Sequence, residues 1–390
     1  MRKAFAVAAV TAALVLVLLG LDVRYAFEGH WSGLFCTGTR YVMPPELEPS
    51  TYREGLRNGY DGQFYRLMAH DPFLTRGYDR YIDAPAYRYR RILLPAMAWL
   101  VAVGNANFID GAFVGVMLLF LFWGCYEWAR EFQESGHSTW WGGTFVLIPG
   151  CLASLERMLV DLPLAALTIA ILRAVRRQNR GGVWALGAAC ALTRETGALL
   201  PLAAAFQSFL RREYRNGLIY ASSVIPAACW WAYLHFRLAV VRNENAVPHW
   251  VKFSWDWGIL NRIVKPISYA PYPPFDRIAQ MLDQVALLGC LAVILWSFWA
   301  AWTRRNEFRG KALALQSLLI LASNRVAFWN SIIGYTRILA PAHVLVGSLA
   351  MQSLRKGPLM AFATFVLMTD LRLFAEAAWH VKAIVNGLLK

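Results

Sequence analysis

Metal-binding and disulfide patterns are missing from this chain. Its six cysteines, Cys36, Cys125, Cys151, Cys190, Cys229 and Cys290, include no C-x-x-C pair. No cysteine or histidine stands at a metal-ligand spacing, which excludes a disulfide framework and a zinc site. Only Cys36 falls in a clearly polar stretch; the others sit in apolar runs. Charge is sparse as well, at 16% of 390 residues. Basic residues outnumber acidic ones 39 to 24, but they form no single stripe. They are spread over short loops between apolar segments, which argues against a nucleic-acid partner.

Apolar and aromatic residues are what the chain has most of. It is 58% hydrophobic, with 17 Trp, 16 Tyr and 22 Phe. Aromatics at this level suit belts at two membrane interfaces. The length exceeds what one soluble core sustains but is ordinary for a polytopic membrane protein. Met1-Arg2-Lys3 precedes the apolar run 4–21. That run is long for a signal-peptide core, and no small-x-small site is followed by a clean mature start. It reads as an uncleaved anchor.

The expected fold is therefore all-α, with about eleven transmembrane helices, several of them short. The candidates are 4–21, 107–128, 139–154, 162–175, 182–193, 197–210, 218–236, 282–302, 312–327, 337–354 and 357–374. Basic clusters recur at Arg2/Lys3, Arg130, Arg173/Arg176/Arg177/Arg180, Arg211/Arg212/Arg215, Arg304/Arg305/Arg309/Lys311 and Arg355/Lys356. The positive-inside rule makes these loops and the N-terminus cytoplasmic. Residues 22–106 and 237–281 then lie outside, periplasmic if the cell is Gram-negative. The first of these loops holds ten arginines, but long loops translocate largely regardless of charge. The segment 92–103 is too short to cross and reads as a half-helix at the outer leaflet. Three regions follow: a core over 1–240, an aromatic and Pro-rich flap over 241–281, and C-terminal spans over 282–390. A plain interfacial loop explains 241–281 equally well.

Two excursions, between Arg130 and Arg173 and between Arg180 and Arg211, have barely enough residues to go out and return. Their turns, Glu156-Arg157 to Asp161 and Thr193-Arg194-Glu195-Thr196, must sit at or below the outer surface. Charges at that depth face a cavity or one another, so a polar funnel open to the outside is expected. The outer loop carries Tyr60-Asp61-Gly62-Gln63-Phe64-Tyr65 and ends in Asp83-Ala84-Pro85-Ala86-Tyr87-Arg88-Tyr89-Arg90-Arg91. An acid and an arginine cluster at one membrane face suit a phosphate-bearing lipid. The pattern R-I-L-x-P occurs twice, at Arg91–Pro95 and Arg337–Pro341. In both, a guanidinium precedes a helix with proline near its first turn.

These motifs, with Leu192-Thr193-Arg194-Glu195-Thr196-Gly197, resemble the GT-C superfamily of membrane glycosyltransferases over roughly residues 1–240. The resemblance implies transfer of a sugar from a polyprenyl-phosphate donor to a glycan, lipid or protein acceptor. The reaction would occur on the non-cytoplasmic face of the inner membrane, in cell-surface glycan assembly. It implies Asp61 as the base that takes the acceptor proton. Arg88, Arg90, Arg91 and Arg337 would hold the donor phosphate. Gln63, Asp83, Arg157, Asp161, Arg194 and Glu195 would complete the substrate site. Unlike members with paired acids in this loop, the chain has Gly62 after Asp61. No cofactor is expected, and a divalent ion would lack its second carboxylate.

Other readings fit the same residues. Asp-Gly is a common turn pair. Arg88, Arg90 and Arg91 also suit anchoring to lipid headgroups. Arg194 and Glu195 also suit pairing with each other or with Asp161. At the level of the whole chain, a lipid-linked-sugar transporter, an O-antigen-type polymerase or ligase, and a non-catalytic assembly subunit remain alternatives.

Overall fold

A computed structural model of the chain describes residues 1–389 apart from 54, 56–57, 240–257, 268–272, 323–325 and 354. Every regular element among them is helical, and no strand occurs among the described residues. The apolar run 4–21 lies in α1 (Arg2–Tyr25). The loop after it carries α2 (Asp61–His70), α3 (Pro85–Arg88) and α4 (Leu93–Val101). The helix α4 is the short half-helix expected over 92–103. Next come α5 (Ala106–Glu134), α6 (Pro149–Arg157), α7 (Asp161–Arg176) and α8 (Arg180–Thr193). They are followed by α9 (Leu199–Leu210), α10 (Tyr214–Ser222) and α11 (Ile225–Ala239). The flap expected over 241–281 lies largely outside the described residues, Trp250, Trp255, Trp257, Tyr269 and Tyr272 included. Beyond it stand α12 (Gly258–Val264), α13 (Pro273–Thr303), α14 (Phe308–Ala322), α15 (Ile332–Ile338), α16 (Ala340–Met351) and α17 (Lys356–Leu388).

Five stretches are long and apolar enough to cross a membrane: Arg2–Tyr25, Ala106–Glu134, Tyr214–Leu238, Asp276–Thr303 and Lys356–Leu388. The pair α15 and α16, bent by 58°, makes a sixth if taken as one broken span. Length is why this count falls below eleven: α7, α8, α9 and α14 have 16, 14, 12 and 15 residues. The segment 139–154 is not one α-helix either. It starts as a 3₁₀ stretch, Thr139–Leu147, that leads into α6. A 3₁₀ turn rises faster per residue, so the rises of the two pieces sum to roughly 30 Å, with Ile148 in extended conformation between them.

The surfaces of these helices fit an apolar surrounding. On α1, Leu14, Val17 and Leu18 are 57–60% exposed, and its sequence holds no charge between Lys3 and Asp22. Large exposed apolar faces of this kind mark contact with lipid or another apolar partner. The helix α7 is the opposite case. It is buried from Asp161 through Ala174, as a helix apolar all round should be. It packs against α5, α6, α8 and α16 and forms the axis of the bundle.

Charge collects at the two ends of α7, about 24 Å apart by helix rise. Asp161 opens the helix, and Arg173 and Arg176 close it. At the closing end Arg173 reaches Glu127 at 2.6 Å and Glu134 at 2.5 Å. Glu131 is fully buried, pairs with Arg176 and accepts from Ser348 Oγ at 2.8 Å. The arginines of this cluster thus also form a buried network between α5, α7 and α16.

Candidate functional site

The start of α2 lies against the end of α6, four residues before α7 begins, and two glycines allow close packing around that start. Gly59 has φ +57, and a Cβ there would lie 2.4 Å from Gly38 N. At Gly62 a Cβ would lie 2.2 Å from the carbonyl oxygen of Arg157 and 2.8 Å from that of Phe35. The first turn of α2 therefore rests on the backbone that ends α6. Gly62→Ala should force this contact apart and cost about 1–3 kcal/mol, the usual scale of overpacking. Chemical unfolding of the purified variant checks this, and an unchanged midpoint would contradict the packing described.

That packing places Asp61 beside arginines from two distant parts of the chain. Arg88 Nη1 lies 2.6 Å from Asp61 Oδ1. Arg337 Nη1, at the end of α15, donates to Asp61 Oδ2 at 2.7 Å. Arg91 Nη1 stands 4.0 Å from the same oxygen. Arg337 also donates from Nε to Asp161 Oδ2 at 2.5 Å, while Arg194 pairs with Asp161 Oδ1. Arg88 continues to Asp83 at 2.8 and 3.1 Å, and Arg91 to Glu195 at 3.1 Å. Acids and guanidiniums thus alternate through a connected cluster in which four carboxylates balance four arginines.

Burial of the cluster is uneven. Asp161 is fully buried, and Arg88, Arg91 and Arg337 are 2–5% exposed. The Asp61 side chain keeps 19% of its surface. Burial raises the Asp61 carboxyl, but the guanidiniums of Arg88, Arg337 and Arg91 overcome that and hold it well below the usual carboxylate range. A carboxyl depressed in the folded state stabilises the fold above its ordinary value of 3.8, and that contribution is lost as pH falls toward the folded value. The stability difference between wild type and Asp61→Asn should therefore be flat above about pH 5 and shrink below about pH 4. Thermal unfolding at pH 7, 5 and 3.5 measures it. A difference that grows on acidification would contradict these pairings.

Two of the sequence candidates stand apart from the cluster. The Gln63 amide is buried and spent on the loop, accepting from Gly38 N at 3.3 Å and donating to Asn58 O at 3.0 Å. Its position one residue past Gly62 turns it toward residues 36–59 and away from Asp61. Arg90 is exposed, with its guanidinium 6.0 Å from the Trp231 ring. Arg157 sits at the margin, over the Tyr60 ring at 5.3 Å and near Glu156 at 3.3 Å. Three tyrosines belong to the cluster but were not singled out by sequence reasoning. Tyr65 OH accepts from Arg91 Nη1 at 2.9 Å and faces Arg337 Nη2 at 3.5 Å. Tyr87 accepts from Arg91 Nη2, and Arg337 stands 5.7 Å from the Tyr60 ring. The i,i+4 spacing of Asp61 and Tyr65 on one helix face was the available signal.

The two R-I-L-x-P segments converge here. Arg91 precedes α4 and Arg337 ends α15, and both reach Tyr65 and Asp61. Among the described residues, no group of three or more His, Cys, Asp or Glu side chains is placed to hold a metal ion. No protein-family model, curated protein or solved structure matches this chain.

Proposed function

We propose that the chain is a membrane glycosyltransferase of GT-C type. It moves a sugar from a polyprenyl-phosphate donor to a glycan, lipid or protein acceptor, with inversion at the anomeric carbon. The observation that carries this reading is the meeting of three buried guanidiniums, Arg88, Arg91 and Arg337, on the partly exposed carboxylate of Asp61. Planar guanidiniums bind phosphate oxygens in pairs. A carboxylate beside them can take a proton.

In the proposed step the acceptor hydroxyl oxygen attacks the anomeric carbon. The bond from that carbon to the phosphate oxygen breaks, and its electron pair leaves with polyprenyl phosphate. The acceptor proton passes to Asp61, and the guanidiniums stabilise the charge gained by the leaving phosphate. Asp61 held by three arginines is too weak a base for this role. A donor phosphate would compete for the same N–H groups. Once it draws them off, the carboxyl rises toward its ordinary value and becomes an effective base. Donor binding would then switch on the base.

The membrane arrangement belongs to the same proposal. The short helices α7, α8, α9 and α14 count as crossings, as do the two pieces over 139–157 and the bent α15–α16 pair, giving about eleven. The N-terminus and the Arg173 end of α7 lie in the cytoplasm and the Asp61 end outside the inner membrane. Purified protein in liposomes, given labelled polyprenyl-phosphate sugar and candidate acceptors, tests the activity. Transfer of label to an acceptor is expected. Movement of the intact donor between leaflets without transfer would favour a transporter instead.

A further inference from the structure

A polar cavity lies at the other end of the bundle, away from the Asp61 cluster. It measures about 250 Å³ and sits between the turn after α7, the α9–α10 turn and the start of α14. Arg176, Arg211, Arg309, Glu213 and Glu307 supply its charge. Arg176 is already paired with Glu131 and Arg309 lies 3.6 Å from Glu307, so Arg211 is the lining arginine that meets no carboxylate among the described ion pairs. Gln207 lines it and is only 8% exposed, yet its Oε1 atom has no hydrogen-bond partner. Asn216 Oδ1, on the same wall, has none either. A buried amide oxygen without a donor costs about 1–3 kcal/mol unless a ligand or water supplies one. The cavity therefore asks for an anion that also carries hydrogen-bond donors.

The surroundings point to the membrane as its source. Phe209, Leu210, Tyr214 and Leu218 flank the cavity residues on α9 and α10 and are 36–65% exposed. Trp302, just before the turn that carries Glu307, is 71% exposed, and Arg305 lies 5.3 Å from its ring. Exposed Trp and Tyr beside arginines are the composition of a headgroup-level belt. We propose that this cavity binds the headgroup of an anionic glycerophospholipid whose headgroup bears hydroxyls, of the phosphatidylglycerol type. The phosphodiester would pair with Arg211, and the headgroup hydroxyls would donate to Gln207 and Asn216. The phosphodiester would give Arg211 an anionic partner. The ammonium of a zwitterionic headgroup would bring a second cation beside it.

The test uses the full chain purified in detergent. Short-chain phosphatidylglycerol, phosphatidylethanolamine, phosphatidylcholine and soluble glycerol phosphate are each titrated while thermal unfolding is followed. Phosphatidylglycerol should raise Tm in a saturable way, and the zwitterionic lipids should do so far less. Arg211→Gln changes an exposed side chain whose one described hydrogen bond, at 3.3 Å to Asn306 O, is weak, so it should fold normally. It should weaken phosphatidylglycerol binding about tenfold or more, the scale of one lost charge-assisted contact. Gln207→Leu should weaken it as well, while raising or preserving basal Tm, because the orphaned amide is gone. Equal stabilisation by all three lipids, or undiminished binding by both variants, would overturn the proposal. Stabilisation by glycerol phosphate alone would also overturn it, in favour of a soluble ligand.

Discussion

Asp61→Asn is expected to lower turnover by on the order of 10²-fold or more, the usual scale for loss of a general base. The geometry refines how this loss should look. Asn cannot take the acceptor proton, but it leaves Arg88, Arg91 and Arg337 in place and with less competition for a phosphate. Donor KM should stay level or fall while kcat collapses. The turn itself tolerates Asn, yet Arg88 and Arg337 each lose one of two anionic partners. A stability cost of about 1–3 kcal/mol is expected from those weakened contacts. Steady-state transfer with donor varied, normalised to folded protein, separates the two effects. If kcat is preserved, Asp61 is a structural counter-ion, and Asp161 or Glu195 becomes the acid to examine.

Arg337→Met should produce the largest loss of stability, about 3–5 kcal/mol. Arg337 bridges Asp61 and Asp161 from adjacent nitrogens, and Asp161 is fully buried. Its removal leaves Asp161 with Arg194 as its close partner in the cluster. Arg337→Lys keeps the charge but not the fork, so it should fall between wild type and Met. The double variant Arg337→Met with Asp161→Asn should recover part of the loss, because the stranded charge is gone. Chemical denaturation of wild type, Arg337→Met, Asp161→Asn and the double variant gives the coupling energy. Strict additivity would mean that Arg337 and Asp161 do not form the pair described.

Much of this cluster was legible in the sequence because charge is rare in so apolar a chain. Arg157, Asp161, Arg194 and Glu195 stood out as ionisable residues in turns too short to reach open water, and the R-I-L-x-P echo marked Arg91 and Arg337. What the sequence could not convey was the pairing. Nothing local says that Arg337 bonds Asp61, 276 positions earlier, since that contact depends on Gly62 seating α2 against the Arg157 backbone. Gln63 misled for the same reason. It neighbours Asp61 in the chain but points into the loop once α2 forms. The basic cluster around Arg173 reads as a topology signal by composition. Its burial against Glu127, Glu131 and Glu134 appears only when α5 and α7 lie side by side. The short helices were visible as short apolar runs, but apolar length alone does not separate a packed inner helix such as α7 from a lipid-facing one.

The most direct test of the account is sugar transfer by purified protein from a synthetic polyprenyl-phosphate sugar, run beside Asp61→Asn at equal amounts of folded protein. The account predicts acceptor-dependent transfer by the wild type, with inverted anomeric configuration in the product, and at least about a hundredfold less by the variant. Donor bound by both proteins, with no transfer by the wild type across glycan, lipid and protein acceptors, would contradict it.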